Sequence, residues 1–211
     1  MEHILDLYQQ ETDPKRPLIC FDEKPMQVIG SIREEVPMKP GRPKRIDYEY
    51  ERHGTQNLMM FFAPLEGWRH VEVRPRRRKV DFAETMRTLI ETYYPEADCI
   101  QLVCDNLNTH VGGSFYERYR PEKARELARK VEFHYTPRNG SWLNAAEIEL
   151  AAFEKQCLDR RFDGPEAIET LKREIAALEA ERNDRGADVN WRFTTGDARI
   201  KLRRLYPSID V

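Results

Sequence analysis

The sequence holds no apolar run near the ~20 residues that cross a bilayer. Its start, Met1-Glu2-His3-Ile4-Leu5-Asp6, lacks a basic segment followed by an apolar one, and no C-x-x-C pair occurs among its four cysteines. The first absence excludes a transmembrane helix, so no membrane partner is expected. The second speaks against a secretory leader. The third removes the commonest zinc and redox motifs. Cys20, Cys99, Cys104 and Cys157 therefore read as reduced thiols of a cytoplasmic protein, two of them inside apolar segments. A cationic excess is missing too: 35 Lys and Arg face 37 Asp and Glu, for a net charge of −2. Total charge thus does not advertise a nucleic-acid binder, and there is no internal repeat or low-complexity tract to suggest an array.

What is present is segregated charge. Lys39-Pro40-Gly41-Arg42-Pro43-Lys44-Arg45 and Arg74-Pro75-Arg76-Arg77-Arg78-Lys79 are dense cationic runs, whereas acidic residues dominate 166–181. Such a distribution fits a basic face opposite a solvated acidic one, and equally fits solvated loops. Gly41-Arg42-Pro43 is similar to the minor-groove grip of an AT-hook, over three residues only. With 211 residues, 40% of them hydrophobic, the chain is long enough for one domain with a real core.

The fold is organised around Leu18-Ile19-Cys20-Phe21-Asp22-Glu23, four apolar residues ending in a carboxylate pair. A short uninterrupted apolar run is the pattern of a strand buried on both faces. Ile100-Gln101-Leu102-Val103-Cys104-Asp105-Asn106 repeats the design. Strands are expected at 18–22, 56–63, 68–73 (alternating, with one exposed face), 99–104 and 131–135. Helices are expected around 4–8, at 80–94, 114–129 (interrupted near Pro121), 142–158, from Pro165 onward, and 197–206 before Pro207. Residues 24–47, rich in Pro and Gly, read as a long irregular excursion. The order predicts an α/β fold, a mixed five-stranded sheet flanked by helices with 18–22 parallel to 99–104, which is also the order of RNase H-like domains.

In open α/β sheets, sites lie outside the carboxyl ends of the strands. Asp22 and Asp105 meet that rule. Two neighbouring carboxylates repel unless a cation lies between them, and hard oxygen ligands suit Mg²⁺ or Mn²⁺. Strand-end aspartates also cap turns, and that alternative stands. A third carboxylate is expected from the helix after the last strand. Glu147 and Glu149 are two positions apart, about 200° around a helix, so they cannot both face the sheet. Asn144-Ala145-Ala146-Glu147 is also a capping-box pattern, in which Glu147 merely satisfies a backbone N–H.

The ordered series Asp22-Glu23-Lys24-Pro25, Tyr50-Glu51-Arg52-His53-Gly54-Thr55, Cys104-Asp105-Asn106-Leu107-Asn108-Thr109-His110 and His134 through Ser141-Trp142-Leu143-Asn144-Ala145-Ala146-Glu147 resembles the catalytic domain of mariner-like bacterial insertion-sequence transposases, the DDE superfamily endonucleases. The resemblance implies an RNase H-like catalytic domain over 18–211, with 1–17 an N-terminal segment or linker. It implies that Asp22, Asp105 and Glu147 form the catalytic and metal-binding triad for two Mg²⁺ or Mn²⁺ ions, hydrolysing DNA at transposon ends and transferring strands into target DNA. Asn106, His110 and Asn144 would support the triad or touch DNA. Lys39, Arg42, Lys44, Arg45, Arg74, Arg76, Arg77, Arg78 and Lys79 would bind DNA, with the protein a homodimer on it. Two departures stand out. The 41 residues between Asp105 and Glu147 exceed the usual interval of mariner-like elements, the surplus falling in 114–130. Only about 17 residues precede the first strand, so the helix-turn-helix readers of transposon ends are expected to be absent, and a non-catalytic DNA-binding or assembly remnant is the alternative reading.

Overall fold

A computed structural model describes residues 1–33, 36–43, 45, 47–189 and 191–206. Lys44 and Pro207 lie outside the described residues. Five strands form one mixed sheet: β1 (Leu18–Ser31), β2 (Tyr50–Ala63), β3 (Trp68–Arg74), β4 (Ile100–Cys104) and β5 (Val131–Tyr135), in the order β3-β2-β1-β4-β5. β1 runs antiparallel to β2 and parallel to β4, and β4 is parallel to β5.

Alternation along the strands splits the core in two. Leu18, Cys20, Met60, Phe62 and Val103 face the side covered by α1 (Glu2–Leu7), α4 (Ala145–Phe153), α5 (Ala167–Asp184) and α6 (Thr195–Lys201). Ile19, Phe21, Met59, Phe61 and Leu102 face α2 (Lys79–Thr88) and α3 (Pro121–Arg129). A strand lined on both sides by apolar layers reads as a continuous apolar run, which is why β1 and β4 are conspicuous in the sequence. The segment before β1 is packed rather than strung out: Ile4, Leu5, Leu7 and Tyr8 are buried in the first cluster.

Two expectations are corrected. β1 does not stop at Asp22, and residues 24–31 are not irregular. The strand continues to Ser31, paired with β2 from Cys20↔Phe62 to Ser31↔Tyr50. Pro25 and Gly30 obscure it in sequence. Pro25 is tolerated because β1 leaves β4 after Cys20↔Val103 and becomes an edge on that side. Gly30 is favoured by close approach, since a Cβ there would lie 2.4 Å from His53 Nε2 and 3.0 Å from the Phe162 carbonyl oxygen. Between Val28 and Ile29 the register slips, with Gly54 at φ +100°, a β-bulge that bends the ribbon. Second, β3 is not exposed on one face. α5 packs across it and encloses Arg69 completely.

Helix ends depart modestly from the periodicity. The expected helix at 80–94 is α2 followed by a π turn over Leu89–Tyr93, and that at 142–158 is a 3₁₀ turn over Ser141–Leu143, then α4, then a π turn over Glu154–Leu158. The surplus between Asp105 and Glu147 is a 3₁₀ segment, Gly112–Glu117, and α3.

Candidate active site

Register brings the first two carboxylates level. The β1/β4 ladder ends at Cys20↔Val103, and two further residues along parallel strands align Asp22 with Asp105. β4 has ended there, and Thr136 N–H closes the neighbouring strand end by donating to Cys104 O at 2.9 Å. Strand alternation turns Asp22 to the α4 side of the sheet and Glu23 to the α2 side.

Asp22 is half-buried, and its carboxyl is pushed up to about 7. Burial is the main cause. The Glu23 N–H, donating to Oδ1 at 2.7 Å, opposes it, while repulsion from Glu147 and then Asp105 adds to it. The other two carboxylates of the sequence reading thus both repel Asp22. Glu147 sits half-buried in the first turn of α4.

The capping alternative for Glu147 fails on inspection. The N-cap Asn144 keeps its own N–H engaged with Ser141 O at 2.7 Å, so no donor is left for Glu147 to satisfy. Asn144, buried, does the capping through Oδ1, which accepts from Ala146 N–H at 3.2 Å. Its Nδ2 donates to Phe21 O at 2.8 Å, on the edge of β1 that β4 has vacated. Helix α4 is thereby tied to the residue before Asp22. Tyr8 braces the same point: its hydroxyl donates to Leu143 O at 2.6 Å and accepts from Ala145 N–H at 3.2 Å.

His110 holds Asp105. The imidazole is fully buried, edge-on to Phe21 and tilted against Phe82, both with centroids 5.1 Å away. Its Nδ1 donates to Asp105 Oδ1 at 2.6 Å. Burial alone depresses the imidazole, but the Asp105 and Glu23 carboxylates outweigh it and lift it to about 9. Nε2 stands 3.8 Å from Glu23 Oε2, an ionic contact too long for a hydrogen bond. Arg77 meets the other Glu23 oxygen at 3.4 Å. Asn106 is exposed at the mouth of a groove of about 690 Å³ lined by Asp105, Leu107, Thr136, Arg138 and Ser141.

The donor set fits a hard divalent cation in its chemistry: Glu147 and Asp105 both repel the Asp22 carboxyl, and Asp22 has only a backbone N–H and a histidine opposing its protonation. Among the described residues, no three His, Cys, Asp or Glu side chains converge closely enough to enclose a single ion.

The cationic runs divide. Lys39 and Arg42 face each other across a Pro40-Gly41 turn, with Gly41 at φ +73°, and Arg45 bridges Val36; Lys39, Arg42 and Arg45 are exposed. In the second run Arg76 is exposed. Arg74 is occupied by Glu72 at 2.6 Å and Glu84 at 2.9 Å, Arg78 by Asp81 at 3.0 Å, and Lys79 by Glu117 at 2.6 Å. Sequence reasoning missed Tyr8, Glu23 as a partner of His110, and the Arg69–Glu149–Arg182 group. Arg69 looks like an outward residue of an alternating strand, and nothing local signals that α5 covers it.

The model of the family described as DDE superfamily endonuclease matches residues 17–169. No curated protein matches the chain. Among solved structures, the fold is similar to the Mos1 strand transfer complex (TM-score 0.56, 16% identity, 88% of this chain and 54% of that one). It is also similar to a pre-cleavage Mos1 transpososome (TM-score 0.56, 17% identity, 88% and 56%) and to the Mos1 mariner paired end complex with Mn (TM-score 0.55, 18% identity, 88% and 55%). The chain spans about half the length of these transposase chains. At such identity the likeness is one of fold, the RNase H-like mixed sheet that the sequence led us to expect. The matched segment covers well over half of the chain and contains Asp22, Asp105 and Glu147, and the protein belongs to the DDE superfamily endonucleases.

Proposed function

We propose that this chain is the catalytic core of a DNA transposase, in which Asp22, Asp105 and Glu147 hold two divalent cations, Mg²⁺ or Mn²⁺, for hydrolysis at transposon ends and strand transfer into target DNA. The observation that carries this reading is Asp22, a half-buried carboxyl at the end of the apolar run of β1, raised to about 7 by desolvation and by two further carboxylates. Such a cluster is costly unless a cation shares it. Bound there, the cations supply Lewis acidity that activates water or a DNA 3′-OH and stabilises the departing oxygen.

The chain's own groups do the positioning. His110 fixes the Asp105 carboxylate through Nδ1–H, and Asn144 fixes the start of the helix that carries Glu147. Lys39, Arg42, Arg45 and Arg76 are exposed and, among the described residues, form no ion pair, which suits them to DNA phosphates. Arg74 drops out, being held by Glu72 and Glu84. Joining two ends to one target calls for two active sites, so a homodimer on DNA is the working assembly, acting in the cytoplasm. Among the described residues no helix is long and apolar enough to cross a membrane.

The test is nicking of supercoiled plasmid with Mn²⁺ by the wild type and by Asp105→Ala. Nicking by the wild type alone is expected. Equal nicking by both, or by neither at high protein with end-bearing DNA, overturns the proposal.

A further inference from the structure

The carboxylate of Glu23 lies beside the three acidic residues and takes no part in the chemistry proposed for them. Its side chain is 4% exposed and sits on the face of β1 opposite Asp22. Resting on the transposase reading, we propose that Glu23 is a positioning residue that relays the arrival of a DNA phosphate at Arg77 to the Asp105 carboxylate through His110.

Three observations carry the assignment. The first is connection to both aspartates. The Glu23 N–H donates to Asp22 Oδ1 at 2.7 Å. The Glu23 carboxylate faces Nε2 of His110, and Nδ1 of the same ring donates to Asp105 Oδ1 at 2.6 Å. Groups that hydrogen-bond a ligating carboxylate set its orientation, so whatever holds the far nitrogen of the ring bears on Asp105.

The second is an unfinished contact. Glu23 Oε2 and His110 Nε2 are both buried, both without a hydrogen-bond partner, and 3.8 Å apart. Buried polar atoms are ordinarily paired. The ring is held in place: Phe21 and Phe82 flank it, the Tyr135 hydroxyl donates to His110 O at 2.8 Å, and the His110 N–H donates to Leu107 O at 3.0 Å. The Glu23 side chain is the part that can move, and an advance of about 1 Å completes a charge-assisted hydrogen bond.

The third is the group that draws Glu23 the other way. Arg77 Nη1 lies 3.4 Å from Glu23 Oε1, and Arg77 is 49% exposed within the cationic run 74–79. Among the described residues Arg77 has no other ion pair. A guanidinium matches phosphate in a bidentate fork, a better partner than one long contact. A phosphate taken by Arg77 removes one of the two cations that share Glu23, and the carboxylate closes on the other, His110.

The experiment follows the ring protons of His110 by NMR in EDTA, on protein with ¹⁵N-labelled histidine and a short duplex. The chain has five histidines, and a His110→Asn variant assigns the signal. The Nε2–H resonance should move downfield when the duplex binds, and should already lie downfield in Arg77→Ala without DNA. Arg77→Lys, which keeps a cation at Glu23, should behave as the wild type. In Glu23→Gln the resonance should not respond to DNA, because an uncharged amide is not contested between two cations. The same variant should raise the Mn²⁺ concentration for half occupancy about tenfold, read by EPR of the free ion. A resonance unmoved by bound DNA, one unmoved in Arg77→Ala, no DNA binding at low salt, or wild-type Mn²⁺ occupancy in Glu23→Gln each overturns the proposal. If the wild type binds no Mn²⁺ while the resonance moves as stated, the two-cation reading fails and the relay stands. Mn²⁺ binding with an unmoved resonance defeats the relay alone.

Discussion

Two acidic groups in this domain are buried on the same side of the sheet and treated in opposite ways. Glu149 on α4 is almost wholly buried and fully compensated. Arg182 donates to both its oxygens at 2.5 and 2.9 Å, and Arg69 Nε lies 3.0 Å away. Arg69 is itself sealed by Phe62, by Asn183 and by the Ala187 carbonyl. Two residues earlier on the same helix, Glu147 belongs to a group with Asp22 and Asp105 that has no Lys or Arg at its centre. A fold that can bring two guanidinium groups to one carboxylate has left Asp22 to be repelled by two others. The difference sets an ion pair that is neutralised within the fold against an acidic group that is not.

The largest effect that sharpens this contrast is Asp22→Asn. Plasmid nicking with Mn²⁺ should fall on the order of a thousandfold or more, equivalent to about 4 kcal/mol of barrier. The same variant should melt higher than the wild type in EDTA at neutral pH, because it removes a buried charge that is repelled. A variant that loses activity and also melts lower would place Asp22 among structural residues.

Glu149→Ala should do the reverse. It strands Arg69 and Arg182 next to an apolar core, and breaking a buried pair from one side costs about 3–5 kcal/mol. The melting temperature should drop by several degrees per kcal/mol or somewhat less for a chain of this length, while nicking per folded molecule survives at low temperature. A loss under 1 kcal/mol would mean that water replaces the pair, and the contrast between the clusters would collapse.

The sequence makes one of these clusters legible and hides the other. Asp22 and Asp105 stand out because strands buried on both faces are apolar runs, and a charge that ends such a run is visible by eye. Glu147 needed the ordered motifs as well, since spacing alone allowed a capping box. The Arg69–Glu149–Arg182 group joins β3, α4 and α5 across more than a hundred residues, and no periodicity encodes a contact of that range. The long β1/β2 ribbon was hidden for a local reason. Pro25 and Gly30 argue against a strand until β1 is found to have only one neighbour there and His53 to press against Gly30.

Titration without metal gives a third, intermediate test. Asp22 is raised from 3.8 to about 7. Its neutral form is favoured by folding, so its contribution is complete below pH 3.8 and lost as pH rises through 7, on the order of a few kcal/mol. His110, raised from 6.5 to about 9, contributes fully below pH 6.5 and loses that contribution as pH rises through 9. Melting temperature against pH in EDTA should therefore show two falls, of which Asp22→Asn abolishes the lower one only. Saturating Mn²⁺ should abolish it as well, since an ion that binds only the folded state offsets the repulsion. A flat profile from pH 4 to 7 would remove the electrostatic ground for a cation site.

The smallest effect concerns the tie between the two clusters. Asn144 caps α4 with Oδ1 and binds the β1 edge with Nδ2. Asn144→Ala should cost about 1–2 kcal/mol in melting experiments. Its more specific consequence is for the metal. With the helix start free of β1, Glu147 is no longer fixed relative to Asp22, and groups that orient ligands in this way typically govern metal affinity by about 10–100-fold. The Mn²⁺ concentration for half-maximal nicking should rise within that range, with near-normal nicking at saturation. Asn144→Ser retains a capping oxygen but is too short to donate to Phe21 O, so it should recover most of the stability without recovering the Mn²⁺ affinity. If it recovers both, the cap alone sets the position of Glu147 and the bond to β1 is incidental.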